Sequence, residues 1–289
     1  MVQLVVLAAL ALASFTHASP QKRDSSASAY CTNSGGNYKL SSIDAPVQGS
    51  GSPGSSSTWN LTIDDTSSGH KQTIDGFGAA VADATVSVFN SLSDSKLDSL
   101  LNDILTSSGA GFSLIRHTIG ASDLSGDPVY TYDDGDSGGN SLSKFGLTDR
   151  GSDMAKLLAK MKSVESNLTI LGTPWSAPGW MKTNGVIEGN ATGNNLNDGY
   201  LTSGGTGSSG YADEFAKYFV DYLQAFSDAG APVDAITIQN EPLHSAAGMP
   251  TMYVYADESA QLIQNHIGPA LSSANLNTKI WAYDHNTGT

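Results

Sequence analysis

The sequence has a single cysteine, Cys31, among 289 residues. No disulfide can form within the chain, so a folded state must rest on a packed core. In an oxidising compartment, Cys31 would be free or pair outside the chain. Basic residues are scarce: 14 Lys and Arg stand against 28 Asp and Glu, a net charge of −14. A surface of that sign repels phosphate backbones, so no nucleic-acid partner is expected and a neutral ligand such as a sugar fits better. Long apolar runs are also missing. LVVLAALALASF, residues 4–15, is too short to cross a bilayer, so no membrane span is expected. Charged residues make up only 15% and hydrophobic ones 39%, which excludes a chain disordered throughout.

The apolar run at 4–15 is followed by small residues around Ala18, and residues 1–18 read as a secretory signal peptide. Lys22-Arg23 reads as a dibasic processing site that would start the mature chain at Asp24. The sequons at Asn60, Asn167 and Asn190 are candidate glycosylation sites. The expectation is a secreted, extracellular glycoprotein. Residues 19–57 are polar and irregular, a propeptide or flexible N-terminal segment, with a Gly/Ser-rich linker at 48–58. TWNLTIDD, 58–65, alternates as a strand does.

From residue 73 the pattern becomes strand, loop, helix, repeated. Short apolar runs at 73–81, 111–120, 168–175, 234–241 and 279–286 have the character of strands covered on both faces. Between them lie helical faces: Leu97, Leu100, Leu101, Ile104 and Leu105 after a Ser93 cap, then Met154, Leu157, Leu158 and Met161. Phe215, Phe219, Tyr222, Leu223 and Phe226 follow, with Gly230 past the helix end, and then Leu262, Ile263 and Ile267. The alternation implies α/β with a parallel sheet, either doubly wound or a (β/α)8 TIM-type barrel. No G-x-G-x-x-G follows the first strand, which argues against a dinucleotide fold. Polar and aromatic residues gather past the C-terminal strand ends, where a barrel keeps its active site.

Those ends offer Asp123, then Trp175, Trp180 and Lys182, then Asn240, Glu241 and His244, then Tyr283, Asp284, His285 and Asn286. They carry neither a metal-ligand spacing nor a G-x-S-x-G nucleophile elbow. Aromatic planes match the C–H faces of sugars, and amides and carboxylates bond sugar hydroxyls. A carboxylate at a buried strand end is costly unless used. Glu241 beside Asn240 therefore fits half of the two-carboxyl machinery of a glycosidase.

In that order, DGFGAAVADA, LIRHTIGASDL, TPWSAPGWMKTNG, IQNEP and IWAYDHN closely resemble glycoside hydrolase family 30, over about residues 37–289. The resemblance is greatest to its fungal endo-β-1,6-glucanases, with its glucosylceramidases more distant. It implies a (β/α)8 barrel over 73–289, of which about five βα units are present, and makes 58–72 a strand segment of a side β-domain. Glu241 matches the acid/base and Asn240 the amide that bonds the substrate 2-hydroxyl. Asp123, Trp175 and His285 match subsite residues, and Trp180 is a further candidate for sugar stacking. Arg116 matches the arginine that orients the nucleophile. That nucleophile is a glutamate on the seventh strand, so the nucleophile, three strands and a C-terminal β-sandwich are expected to be absent. The chain thus reads as an N-terminal part, inactive alone, in which Arg116 loses its carboxylate. Asp284, on the strand next to that of Glu241, is expected to approach from the wrong side to replace it. The expected activity is retaining hydrolysis of β-glucan, with no metal or organic cofactor. The alternatives are a glucosylceramidase-like β-glucosidase and a noncatalytic glucan-binding protein.

Overall fold

The computed structural model describes residues 28–44, 64, 66–136, 142–189, 193–201, 207 and 209–286. The signal segment, Asn60, Asn190 and, apart from Asp64, the strand expected at 58–65 lie outside these residues. Asn167 is exposed. Two compact units divide the chain, Met1–Thr73 and Ile74–Thr289.

In the first unit, residues read from sequence as irregular form an antiparallel pair, β1 (Ala29–Cys31) and β2 (Ser41–Ile43). Asn33 closes the turn: its N–H donates to the Tyr38 carbonyl and its side-chain oxygen accepts the Tyr38 N–H. Three-residue strands leave no alternation long enough to read. Cys31, on β1, is a free thiol.

The second unit is a five-stranded parallel sheet in sequential order: β3 (Gly78–Val81), β4 (Leu114–Ile119), β5 (Thr169–Pro174), β6 (Ala235–Thr237) and β7 (Lys279–Trp281). Helices α1 (Asp83–Asn90), α2 (Asp94–Leu105), α3 (Asp149–Val164), α4 (Ala212–Asp228), α5 (Ala256–Leu262) and α6 (Gly268–Ser273) lie between the strands. A π turn, Ile263–Ile267, joins the last two. The expected faces of α2, α3 and α4 are buried, with Leu100 and Ile104 half-buried at the rim. Helix α1 went unread because of its apolar residues only Val86 is buried. Gly230, in the left-handed region at φ 85°, ends α4 as expected. No helix among the described residues is long and apolar enough to cross a membrane.

The two faces of the sheet differ, and the period of two along each strand decides which side chain goes where. On β4, Ile115, His117 and Ile119 point to the helices and are buried. His117 stacks on Phe226 of α4 with ring centroids 5.0 Å apart and accepts the Tyr222 hydroxyl proton at 2.6 Å on Nε2. Its Nδ1–H donates to the Thr118 carbonyl, and burial lowers its pKa to about 3, so the ring is neutral. Gly172 makes room for this contact, since a Cβ there would lie 2.2 Å from the Tyr222 hydroxyl. Arg116 and Thr118 point the other way, and the register puts Thr173 and Thr237 on that same inner face.

Among the described residues the sheet does not close on itself: β3 and β7 each pair on one side only, and Phe77, just before β3, is 69% exposed. A hollow of about 900 Å³ opens at the N-terminal strand ends, lined by residues that include Ser113, Thr169, Asp234 and Lys279. That is the end away from where a parallel barrel does chemistry, so volume does not mark the site.

Candidate active site

At the C-terminal ends, four adjacent strands converge on one cluster. Arg116, from β4, donates through Nη2 to Asn240 Oδ1 at 2.7 Å and to Asp284 Oδ2 at 2.8 Å. Its guanidinium lies over the Trp175 ring, 4.7 Å from the centroid. Thr173 and Thr237 add hydroxyl contacts to Asp284 Oδ2 at 3.1 and 3.0 Å. Arg116 therefore does not lack a carboxylate, contrary to the expectation from sequence. The β7 end brings Asp284 to the inner face, where one oxygen collects a guanidinium and two hydroxyls.

The reading frame of β6 breaks just before Glu241. Formal pairing ends at Thr237, although the apolar run continues to Gln239. Gln239 folds back, its Nε2 donating to the Trp175 carbonyl at 2.7 Å and to the Asn240 carbonyl at 2.9 Å. The Asn240 N–H then donates to Pro174 on the β5 side at 2.8 Å, and the Glu241 N–H to the Asp284 carbonyl on the β7 side at 2.9 Å. Glu241 has φ 43°, in the left-handed region, which costs an ordinary residue about 1–2 kcal/mol. Such strain persists where surrounding bonds over-determine it, and it clusters at functional sites. The half-buried Glu241 carboxylate makes no hydrogen bond or ion pair to a described residue.

Of the residues singled out from sequence, Arg116, Trp175 and Asn240 come together, and Glu241 follows Asn240 with its backbone N–H on the Asp284 carbonyl. Trp175 is only 8% exposed, with the Arg116 guanidinium over one face of its ring. Trp180 stands apart: its Nε1 donates to the Asp133 carbonyl at 2.9 Å, and its ring meets Tyr211 edge-on. It holds the loops after β4 and β5 together. Asp123 is exposed in the loop after β4. His285 is half-buried, its Nδ1 accepting the Asn286 N–H at 2.7 Å. Lys182 turns inward, its Nζ donating to the carbonyls of Ile187 at 2.7 Å and Thr251 at 3.0 Å. Burial lowers its pKa to about 7, and it clamps the loop after β5 to the loop after β6. Sequence reasoning missed the positioning roles of Thr173, Thr237 and Gln239. The available signal was their period-two placement on strands that end in site residues. No group of three or more His, Cys, Asp or Glu among the described residues could hold a metal ion.

A partial βα barrel with a strained glutamate at the end of its fourth strand, β6, fits the sugar-processing barrels, and the comparisons with known proteins place the chain among them. Residues 74–289 match the family described as glycosyl hydrolase family 30, TIM-barrel domain. The chain belongs to that family. It is 70% identical over 286 residues to endo-1,6-beta-D-glucanase neg1 of Aspergillus fumigatus, covering 99% of this chain and 59% of that protein. It is 60% identical over 283 residues to endo-1,6-beta-D-glucanase BGN16.3 of Trichoderma harzianum, covering 97% and 56%. Among solved structures, the endo-beta1,6-glucanase BT3312 superposes with a TM-score of 0.62 at 29% identity, over 74% of this chain and 45% of that one. The chain thus spans less than two thirds of the length of these relatives.

Proposed function

We propose that the whole protein is a secreted retaining glycosidase that hydrolyses β-1,6-glucan, with Glu241 as its acid/base. The observation that carries this is the placement of Glu241: a carboxylate with no partner among the described residues, on a strained turn directly after an Asn240 amide that Arg116 fixes. The 70% identity to an endo-1,6-beta-D-glucanase over nearly the whole chain supports the choice of substrate. Asn240, Trp175, Asp123 and His285 are read as substrate contacts, and Asn60, Asn167 and Asn190 as glycosylated on export.

In double displacement, a carboxylate attacks the anomeric carbon while Glu241 gives its proton to the departing glycosidic oxygen. Glu241 then takes a proton from water, which releases the glycosyl enzyme. The two carboxyls of such a pair sit about 5–5.5 Å apart across the sugar. Asp284 is on the neighbouring strand and one of its oxygens is held by Arg116, Thr173 and Thr237, so we assign it to positioning. The family resemblance puts the nucleophile on a strand beyond these five, and residues 24–289 alone are read as inactive.

Proton NMR of β-1,6-glucan hydrolysis by the whole protein tests the mechanism: the first-formed product is the β anomer, and a first-formed α anomer would overturn it. Residues 24–289 alone release no reducing sugar above a Glu241→Gln control; release above that control would refute their inactivity.

A further inference from the structure

The loop between β6 and α5 carries two tyrosines that the reaction does not use. Tyr253 and Tyr255 lie with ring planes within 8° and centroids 5.9 Å apart. Tyr255 is 46% exposed, while Val254 between them is buried at 2%. The near-parallel rings put both side chains on one side of the segment, opposite the buried Val254, with Tyr253 half-buried and Tyr255 exposed. The Val254 N–H donates to the Pro242 carbonyl at 2.9 Å, and Pro242 directly follows Glu241. The rings are therefore tied to the turn that carries the acid/base.

This segment is held from several sides. The Tyr253 N–H donates to the Asn194 carbonyl at 2.7 Å, and Asn194 Nδ2 to Thr251 Oγ1 at 3.1 Å. The Thr251 carbonyl receives Lys182 Nζ, and the Tyr255 N–H is received by Glu258 Oε2 at 2.7 Å. A fixed backbone presenting a half-exposed aromatic ring is pre-organised for a ligand, because little side-chain freedom remains to be lost on binding.

We propose that Tyr253 and Tyr255 form a platform for a glucosyl unit on the leaving-group side of the bond being cut. The proton donor faces the glycosidic oxygen, so its own loop borders the sugar that departs. A β-glucosyl ring carries its hydroxyls at the equator and C–H bonds on both faces. Those faces match an aromatic ring. The ligand is neutral, which suits a chain of net charge −14. This inference rests on the proposed glycosidase reading and adds the place where the leaving sugar is held.

The test is calorimetric binding of β-1,6-, β-1,3- and β-1,4-linked glucose trimers to pentamers to the whole protein, with Glu241→Gln as the non-cleaving parent. Tyr255→Leu, which keeps bulk without a ring face, and Tyr255→Ala should weaken the longer β-1,6 oligomers about 3- to 10-fold, the range of one aromatic contact. Tyr255→Phe should stay within about twofold, since the face and not the hydroxyl dominates. Unchanged affinity for every oligomer in both Leu and Ala variants overturns the platform while leaving the β-1,6-glucan reading intact. If only another linkage binds, and binds more weakly in Tyr255→Leu, the platform stands and the substrate reading falls. Binding of no oligomer by the parent overturns both.

Discussion

Replacing Glu258 by Gln should stabilise the protein above neutrality and leave it unchanged in acid. Glu258 and Asp198 are both buried, at 3% and 0% exposure. Glu258 Oε2 accepts the Tyr255 N–H and Asp198 Oδ1 the Tyr200 N–H, while Oε1 and Oδ2 have no other donor. Burial first, then the adjoining Asp198, hold the Glu258 carboxyl well above the usual carboxylate range. One proton shared between the two oxygens satisfies both. A pKa raised in the folded state gives stability that is complete below the unfolded value of about 4.5 and lost as pH climbs through the folded one. Each tenfold change in proton affinity is worth about 1.4 kcal/mol, so a hundredfold preference contributes about 3 kcal/mol. For a unit of this size that is a Tm fall of about 6–12 °C from pH 4.5 to pH 9. Gln supplies a permanent N–H in place of the shared proton, so the variant's Tm should lack that fall. His117 and Lys182 titrate against opposite trends, but they are common to both proteins and cancel in the difference. Differential scanning calorimetry of parent and variant across this range is the assay. A Tm difference independent of pH would refute the shared proton.

Gly172→Ala places a Cβ 2.2 Å from the Tyr222 hydroxyl and should cost about 1–3 kcal/mol by urea unfolding, with partial recovery in Gly172→Ala/Tyr222→Phe. Equal losses in the single and double variants would show that the clash is not with this hydroxyl. Asp284→Asn removes the Arg116 ion pair, whose side chains are 22% and 21% exposed, and after allowance for solvent should cost about 1–2 kcal/mol. A Tm within a degree of the parent would mean that the cluster is not held by charge.

The five barrel strands were legible because strands covered on both faces are continuous apolar runs with little else to become. Their ends were less so. The run through Gln239 reads as strand, yet pairing stops at Thr237, because the Gln239 amide bonds the carbonyls of Trp175 and Asn240 and turns the chain. Glu241 and Asn240 could be singled out, since a carboxylate and an amide closing an apolar run have few structural uses. Arg116 could be singled out too, but not its partner: only the register shows that Thr173, Thr237 and Asp284 reach the same point. Lys182 and Trp180 read as site residues because they follow β5, and the structure spends both on fastening loops. Residue type and position after a strand do not reveal whether a side chain turns toward the inner face or into the loop.

The role of Glu241 is tested most directly by comparing two substrates in the whole protein and its Glu241→Gln variant. One is β-1,6-glucan, whose leaving sugar needs a proton; the other is an aryl β-gentiobioside with a dinitrophenolate leaving group, which does not. A proton donor predicts a loss of about 10²–10⁴-fold on the glucan and a far smaller one in the first, aglycone-releasing step on the aryl substrate. Equal losses on both would contradict the assignment of Glu241.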